Sequence, residues 1–341
     1  MKHLITGGSG FLGMVIAGKL LSQGKNVVSI DVSPTPDQSP DVEFIQGSVL
    51  NRELVKAAMK GVEVVHHTAA LVPLTKMNSQ FHQVNEEGSR IVAEEAARAG
   101  VRYFVHTSSS AIFGKPACPV NNDSPLHPVE KYGASKLAGE RAVERVSIEN
   151  KMPLIIVRPR TLVGMGRLGI FQILFEWIME GRNVYVLGDG SNKIQFLHAD
   201  DLIDCYMFLC EQEKPGCYNV GTDRFDTLET TLNQLIEHAG TTTRVRHLPK
   251  QLAVGTLRTL DLLGLSPLAP WHYLTYGEDF YFDLAPLKQL GWQPRYSNVE
   301  MLNETYDQFI SNYDVFKTKD DGSPHRKRVK EQVLGVLKRL S

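Results

Sequence analysis

A tyrosine and a lysine four residues apart, Tyr132 and Lys136, lie in the run YGASK, and a serine cluster around Ser109 precedes them. On a helix, this spacing puts both side chains on one face. A phenol with a pKa near ~10 is a poor base at neutral pH, but a neighbouring ammonium favours the phenolate and lowers that pKa. The pattern therefore indicates general acid/base chemistry by Tyr132, with Ser109 as a hydrogen-bond donor to a substrate oxygen.

A glycine motif, TGGSGFLG at residues 6–13, lies between an apolar run and a helical pattern. Gly7 permits a tight turn, Gly10 lets the backbone approach a pyrophosphate, and Gly13 lets helix and strand pack closely. The N-terminus of the following helix supplies N–H donors and a partial positive charge. The motif predicts a dinucleotide site, with these three glycines at its centre.

Asp31 ends the second apolar run, close to the spacing expected for an acid that binds a ribose. Its carboxylate would accept hydrogen bonds from the ribose hydroxyls and repel a 2′-phosphate. No lysine or arginine follows until Arg52, so we expect NAD rather than NADP. Together with Tyr132 and Lys136, the pattern predicts hydride transfer between a nicotinamide ring and a carbon that bears an oxygen.

Short apolar runs alternate with amphipathic stretches in the first half of the chain, which predicts parallel βαβ units in a doubly wound, Rossmann-type α/β sheet. The predicted strands cover residues 2–6, 26–30, 42–46, 62–67, 102–107 and 154–157. The predicted helices between them cover residues 11–22, 52–59, 81–99 and 132–149. This rhythm loosens after Gly164.

The change of pattern predicts three regions. Residues 1–165 form an NAD-binding Rossmann domain, to which segments near 194–221 return, and residues 166–315 form a smaller mixed α/β substrate-binding domain. Residues 316–341 are a linker and a basic helix with apolar residues at helical spacing. That helix either docks on its own protein or a sister subunit, or makes peripheral contact with an anionic membrane.

The composition is that of an ordinary soluble protein, with 42% hydrophobic and 22% charged residues. A net charge of −1 gives no general attraction to nucleic acid. The four cysteines form no Cys-x-x-Cys pair and have no histidine cluster beside them, which favours reduced thiols and no metal. No run reaches membrane-spanning length, and a glycine motif at residue 6 argues against a signal peptide, so we expect a cytoplasmic protein.

The chain resembles the extended short-chain dehydrogenase/reductase superfamily, in particular its NAD-dependent epimerase/dehydratase group. The likeness covers about residues 1–312. It depends on nine motifs in order: TGGSGFLG at 6–13, VVHHTAA at 64–70, VNEEGSR at 84–90, HTSSSAIFG at 106–114, YGASK at 132–136, VRPRTLVG at 157–164, FLHADDL at 196–202, YNVGT at 218–222 and LGW at 290–292.

This resemblance implies an enzyme with Ser109, Tyr132 and Lys136 as catalytic residues. Tyr132 and Lys136 would also contact the cofactor. The other implied cofactor contacts are Gly7, Gly10, Phe11, Leu12, Gly13, Asp31, Ala69, Asn85, Thr107 and Pro159. Ser48 stands where the family usually has an aspartate near the adenine. Members commonly dimerise through helices like 81–99 and 132–149, so a homodimer is implied.

The chain also departs from some branches of the group. Ser110 and Ala111 follow Ser109 where dehydratases usually carry an Asp-Glu pair. Nucleotide-sugar enzymes usually pair an arginine with the diphosphate just before the FLHADDL-type segment, and here the equivalent is Ile194. Trp271, His272 and Tyr273 stand where a second arginine is common, and Thr161 replaces an asparagine.

These departures, with the apolar and aromatic character around residues 252–263, Tyr276 and Phe280, resemble the 3β-hydroxysteroid dehydrogenase branch. We therefore expect a hydrophobic, sterol-like secondary alcohol or ketone as the small-molecule substrate. Two alternatives remain: an NAD-dependent nucleotide-sugar epimerase, and a non-catalytic NAD-sensing binding protein.

Overall fold

A computed structural model describes residues 1–72, 80–164, 168–262 and 275–314. They form two compact units, each built from separate stretches of chain. The first unit contains Met1–Gly114, Leu126–Pro159 and Leu202–Val220. The second contains Lys115–Pro125, Arg160–Asp201 and the described residues from Gly221 onward.

The strands are β1 Lys2–Thr6, β2 Asn26–Asp31, β3 Val42–Gln46, β4 Val64–His67, β5 Tyr103–Thr107, β6 Leu154–Pro159, β7 Thr161–Val163, β8 Val184–Leu187, β9 Phe196–His198, β10 Gly216–Val220 and β11 Val245–Leu248. The helices are α1 Phe11–Ser22, α2 Arg52–Ala58, α3 Ser89–Ala99, α4 Lys131–Asn150, α5 Phe171–Met179, α6 Ala199–Glu211, α7 Leu228–Ala239, α8 Lys250–Leu262, α9 Ala285–Gln289 and α10 Asn298–Ser311.

The first unit has a seven-stranded sheet in the order β10-β6-β5-β4-β1-β2-β3, and all of its strand pairs are parallel. The order reverses at β1, between β4 and β2, so a crevice opens at the carboxyl ends of these strands. The predicted Rossmann-type fold is confirmed. Leu4, Val28, Val65 and Phe104 are each 1% exposed or less, as expected for strands covered on both faces.

Most predicted helix ends agree with the structure. Asn51 caps α2 by accepting a hydrogen bond from Leu54 N, and Gly100 ends α3 in the left-handed conformation with φ 68°. The predicted helix over 81–99 differs, because a π-helical turn, Gln83–Gly88, precedes α3. The helix expected to stop at Asn150 includes that residue and ends at Lys151 with φ 53°.

The second unit has two small parallel sheets, β8 with β11 and β7 with β9. Its core includes the almost fully buried rings of Phe175, Phe196 and Phe309. The expected basic helix in 316–341 lies outside the described residues, as do Trp271, His272 and Tyr273. Within the described part of the chain, none of the helices combines the length and the apolar character needed to cross a membrane.

Candidate active site

The glycine motif forms a crowded turn between β1 and α1. Gly7 has φ +73°, and a Cβ there would lie 2.8 Å from the Ala69 Cα, which belongs to the chain after β4. A Cβ on Gly13 would lie 2.3 Å from the Gly7 carbonyl oxygen. Since both contacts involve backbone atoms, any side chain would force the loop and helix apart. These contacts agree with the tight turn and close packing expected of Gly7 and Gly13.

The start of α1 fits the diphosphate of a dinucleotide. Gly10 is its N-cap in extended conformation, and among the described residues no side chain caps the first turn, which contains no acidic residue. The first backbone N–H groups of α1 therefore donate to no side-chain cap and are free to bind an anion from outside the helix. The helix dipole favours a negative charge at this end. Phe11 and Leu12, which open the helix, are each only 8% exposed.

Asp31, at the end of β2, is hydrogen-bonded to the glycine loop. Its Oδ2 accepts a hydrogen bond from Ser9 N at 3.1 Å, and its Oδ1 accepts one from Ser33 N at 3.3 Å. Burial raises the pKa of this half-buried carboxyl, while the backbone N–H groups oppose that rise. The carboxylate thus lies beside the loop, as a ribose-binding role requires.

Tyr132 stands in the first turn of α4. The Glu130 carboxylate caps this helix by accepting hydrogen bonds from the backbone N–H groups of Tyr132 and Gly133 at 2.6 and 2.5 Å. The Tyr132 ring meets Phe81 edge-on, with ring centroids 6.1 Å apart. The cap and this ring contact fix the direction in which the helix starts.

Ser109 is brought to the start of α4 by the chain that follows it. Its Oγ accepts a hydrogen bond from Ala111 N at 3.2 Å and caps the short 3₁₀ turn Ser110–Phe113. A Cβ on Gly133 would lie 2.6 Å from the Ala111 carbonyl oxygen. The Ser109 turn and the helix residue next to Tyr132 are therefore in direct contact through Ala111 and Gly133.

Lys136 lies one turn along α4 from Tyr132 and is only 4% exposed. Its Nζ donates a hydrogen bond to the Thr107 carbonyl oxygen at 2.6 Å, at the carboxyl end of β5. Burial lowers the pKa of this ammonium to about 8, and Glu140 on the same helix opposes the shift. Lys136 therefore still carries its charge at neutral pH.

The structure gathers several other predicted cofactor residues at the carboxyl ends of neighbouring strands. Ala69 touches the Gly7 backbone, Thr107 ends β5 and bonds the Tyr206 hydroxyl, and Pro159 ends β6. Parallel strands meet at one edge of the sheet, which explains why residues distant in sequence converge there.

Asn85 and Ser48 use their side chains locally. Asn85 is 1% exposed; its amide oxygen accepts from Leu71 N, and its nitrogen donates to the Leu71 carbonyl oxygen and to Ser135 Oγ. Ser48 Oγ accepts from Leu50 N in the turn before α2. Both residues shape loops at the carboxyl edge, and their contact with a cofactor stays a prediction.

Sequence reasoning missed three residues that hold this region together. A Cβ on Gly8 would lie 1.8 Å from Ser29 Oγ on β2, so the second glycine of TGG is needed as much as the first. Gly133 and Glu130 were not singled out either. Glu130 had a readable signal, since an acidic residue just before a helical pattern is a common N-cap.

In the second unit, Ile194 is 5% exposed and belongs to the hydrophobic core. Arg160 is 4% exposed; its Nε donates to the Gln195 carbonyl oxygen, and its guanidinium lies 3.9 Å from the centre of the Phe280 ring. Burial lowers the pKa of Arg160 to about 10. Phe280 is itself 3% exposed, so this ring is a core side chain of the unit.

Residues 3–221 match the protein family described as the NAD dependent epimerase/dehydratase family. The chain is 40% identical over 336 residues to the Sinorhizobium fredii protein y4nG, covering 98% of this chain and 85% of that protein. It is 30% identical over 256 residues to a UDP-glucose 4-epimerase of Mycolicibacterium smegmatis, covering 69% of this chain and 80% of the relative.

A 3-beta-hydroxysteroid dehydrogenase of Mycolicibacterium neoaurum is 26% identical over 344 residues, covering 92% of this chain and 93% of the relative. The fold is similar to that of a UDP-glucuronic acid 4-epimerase from Bacillus cereus solved in complex with NAD. That match has a TM-score of 0.74 and 21% identity, and covers 92% of this chain and 100% of the other.

The glycine loop at the switch point and the family match over residues 3–221 agree with each other and with the resemblance read from the sequence motifs. The chain therefore belongs to the NAD-dependent epimerase/dehydratase family of the extended short-chain dehydrogenase/reductase superfamily, and it is an enzyme whose cofactor is NAD.

Proposed function

We propose that the protein is an NAD-dependent oxidoreductase that transfers a hydride at a secondary alcohol or ketone carbon, with Tyr132 as the acid/base. The contact between Gly133 and the Ala111 carbonyl carries this proposal, because it joins the start of α4 to the Ser109 turn. Lys136, buried one helical turn away, supplies the cation that a phenolate needs.

Each residue has a definite task in this proposal. Tyr132 takes the proton from the substrate hydroxyl during oxidation and returns it during reduction, while Lys136 stabilises its phenolate. Ser109 Oγ accepts from Ala111 N, so its own O–H is available to donate to the substrate oxygen. When bound, NAD supplies the hydride acceptor, and its reduced form supplies the donor.

The backbone N–H groups at the start of α1 hold the diphosphate, and Asp31 binds the ribose hydroxyls. Support for the ribose role comes from the bond between Asp31 and Ser9 N, which keeps the carboxylate at the loop. A 2′-phosphate would bring a second anion against this carboxylate, so the proposal includes a preference for NAD over NADP.

The cofactor preference is tested by calorimetric titration of NAD and NADP into the wild type and the Asp31→Asn variant. We expect NAD to bind the wild type about tenfold or more tightly than NADP, and the variant to narrow that gap. Asp41→Asn, a change at an exposed aspartate, is the matched control and should keep the gap. Equal affinities in the wild type would contradict the role of Asp31.

We propose a hydrophobic, sterol-like alcohol as the substrate. One support is the relative named 3-beta-hydroxysteroid dehydrogenase, which aligns with 92% of this chain. The other is the burial of Ile194 in the core of the second unit, at the position where nucleotide-sugar enzymes usually carry a diphosphate-binding arginine. The 30% identity to a UDP-glucose 4-epimerase supports nucleotide-sugar epimerisation as the second candidate.

The substrate classes are separated by incubating the protein with NAD and either 3β-hydroxysteroids or UDP-sugars. NADH that accumulates in proportion to a steroid ketone supports the proposal. Conversion of a UDP-sugar to its epimer without net NADH would establish the second candidate instead. NAD binding without turnover of either class would contradict both candidate substrates.

The family's usual dimer surface leads us to propose a homodimer as well. Support comes from α4, where Ile148 is 78% exposed and so available for a contact with a second copy. Sedimentation velocity of the wild type and of Ile148→Asp tests it. A dimer that the substitution weakens is expected, and a monomeric wild type would contradict the proposal.

A further inference from the structure

His67, at the end of β4, is 1% exposed and hydrogen-bonded through both ring nitrogens. Its Nδ1 lies 2.7 Å from Thr6 Oγ1, and its Nε2 lies 2.8 Å from Ser89 Oγ. Thr6 is the last residue of β1 before the glycine loop, and Ser89 is the first residue of α3. The ring therefore joins the strand that leads into the loop to a helix of the same unit.

The neighbouring hydrogen bonds determine which ring nitrogen of His67 carries the proton. Ser89 Oγ lies 2.7 Å from the Asn85 carbonyl oxygen and must donate its one proton there, because a carbonyl cannot donate. Ser89 Oγ therefore accepts from His67, which requires a proton on Nε2. Burial lowers the pKa of His67 to about 3, so the ring is neutral and Nδ1 accepts from Thr6.

A second set of hydrogen bonds begins at the side chain of the same Asn85 and ends at the proposed catalytic tyrosine. The side-chain nitrogen of Asn85 donates to Ser135 Oγ at 2.9 Å, and Ser135 Oγ donates to the Tyr132 carbonyl oxygen at 2.7 Å. At the other end, Ala69 N donates to Thr6 Oγ1 at 3.4 Å. The two sets of hydrogen bonds meet at Asn85, whose backbone carbonyl accepts in the first and whose side-chain nitrogen donates in the second.

We propose that His67 is a positioning residue: as the neutral Nε2–H tautomer, it aligns the strand end that precedes the glycine loop with the helical segment that supports Tyr132. The inference rests on the proposed use of this loop for NAD. His67 acts through Thr6, Ser89 and Asn85 and contacts no reacting atom. Loss of its ring nitrogens would leave the Thr6 and Ser89 hydroxyls without this partner in a buried region.

His106 offers a matched control. It is paired with His67 in the register of β4 and β5, it is fully buried, and the two rings stack with centroids 5.5 Å apart. Neither of its ring nitrogens has a hydrogen-bond partner among the described residues. Replacing His67 or His106 with phenylalanine therefore exchanges a buried imidazole for a phenyl ring at two neighbouring sites, but only the first change breaks the hydrogen bonds to Thr6 and Ser89.

The first test is calorimetric titration of NAD into the two variants, with thermal unfolding of each. We expect His67→Phe to weaken NAD binding about tenfold, equal to about 1.4 kcal/mol, and His106→Phe to change it by less than about twofold. Equal weakening in both variants, or unchanged affinity in folded His67→Phe, would overturn the proposal. If His67→Phe does not fold, Thr6→Val and Ser89→Ala cut the chain on either side of the ring and should each weaken binding several-fold; unchanged affinity in both would overturn it.

The second test is nitrogen-15 NMR of histidine-labelled wild type at pH 7, with the His67 signals assigned from their loss in the His67→Phe or, if needed, a His67→Asn spectrum. We expect a neutral ring protonated on Nε2. A ring protonated on Nδ1, or a charged imidazolium, would overturn the proposal. This measurement needs neither NAD nor substrate, so a wild type that fails to bind NAD would refute the proposed function without touching the tautomer result.

Discussion

Two buried cations distinguish the two units of this protein. Lys136 in the first unit and Arg160 in the second are each 4% exposed, and burial lowers the pKa of both, to about 8 and about 10. Lys136 donates to the end of β5 and lies one turn from Tyr132, whereas Arg160 packs against the rings of Phe280 and Phe282. Burial alone therefore does not identify a functional residue; the reactive groups beside it do.

The two units differ in how much their residues reveal, and for this reason the chemistry is easier to infer than the substrate. In the first unit, glycines bring backbone and polar groups into contact at strand ends. In the second unit, the two residues that bear on the choice of substrate, Ile194 and Phe280, are both buried, at 5% and 3% exposed. A buried side chain does not by itself identify a ligand, whereas a glycine-rich strand end at the start of a helix fits few kinds of ligand.

The largest effect that we expect comes from Tyr132→Phe. Removal of the phenolic oxygen should lower turnover by about 10³-fold, because general acid/base catalysis contributes roughly 10²–10⁴-fold. NAD affinity, measured by calorimetry, should stay within about threefold of the wild type. A variant with full turnover of the substrate identified by incubation with 3β-hydroxysteroids or UDP-sugars would contradict the acid/base role.

Phe280→Ala tests whether this ring stabilises the interior of the second unit. Loss of this buried ring should destabilise the second unit by about 3 kcal/mol, the usual range for phenylalanine in a core. Trp177 and Trp292 lie in this unit, so urea unfolding followed by tryptophan fluorescence measures the change. Unchanged stability would mean that the ring is not a core side chain.

Gly133→Ala tests the contact that joins the Ser109 turn to α4. Because the new Cβ would meet the Ala111 carbonyl oxygen at 2.6 Å, we expect turnover to fall by roughly ten- to a hundred-fold. Gly18→Ala is the matched control, since a Cβ at this exposed helical position would meet no other segment of the described chain within 4 Å. That control should keep its activity and gain stability, and equal losses in both variants would exclude a specific role for the contact.

Lys136→Met should give the smallest change in stability, and we expect that change to be a gain. The fall in pKa from 10.5 to about 8 means that burying the charge costs the wild type about 3 kcal/mol at pH 7. The variant avoids this cost but leaves the Thr107 carbonyl without its donor, so we expect a net gain of about 1–2 kcal/mol. Turnover should nevertheless fall by about 10²-fold, because the phenolate of Tyr132 loses its cation.

This gain should depend on pH. Below about pH 8 Lys136 is charged in both the folded and the unfolded state, and the full cost applies. Between about pH 8 and pH 10 the folded protein has released a proton that the unfolded chain still holds, so wild-type stability rises toward that of the variant. Urea unfolding at pH 7 and pH 9.5 measures the difference, and a gap that widens with pH would contradict the assignment.

Much of the first unit could be predicted because its signals are local. The glycine motif, the strand that ends at Asp31 and the Tyr132–Lys136 spacing each lie within a few residues of sequence, and the structure has the expected elements there. Periodicity and turn residues are sufficient for such elements.

The rest depends on contacts between distant segments. No local pattern shows that Gly8 must avoid Ser29, that Asn85 bonds Leu71 and Ser135, or that a π-helical turn precedes α3. The core position of Phe280 follows from its packing on Arg160, which is 120 residues earlier in the chain. The sequence shows that the region around Phe280 is rich in aromatic residues, but it does not show which of their rings are buried.

The order of strands has a consequence for synthesis of the chain. In the sheet, β6 has β5 on one side and β10 on the other, and β10 ends at Val220, 61 residues after the end of β6 at Pro159. Until the ribosome has released that segment, one side of β6 presents unpaired N–H and C=O groups, a template for pairing with other nascent chains. In a fragment that stops at Pro159, this side of β6 would stay unpaired, so we expect the isolated N-terminal half of the chain to aggregate.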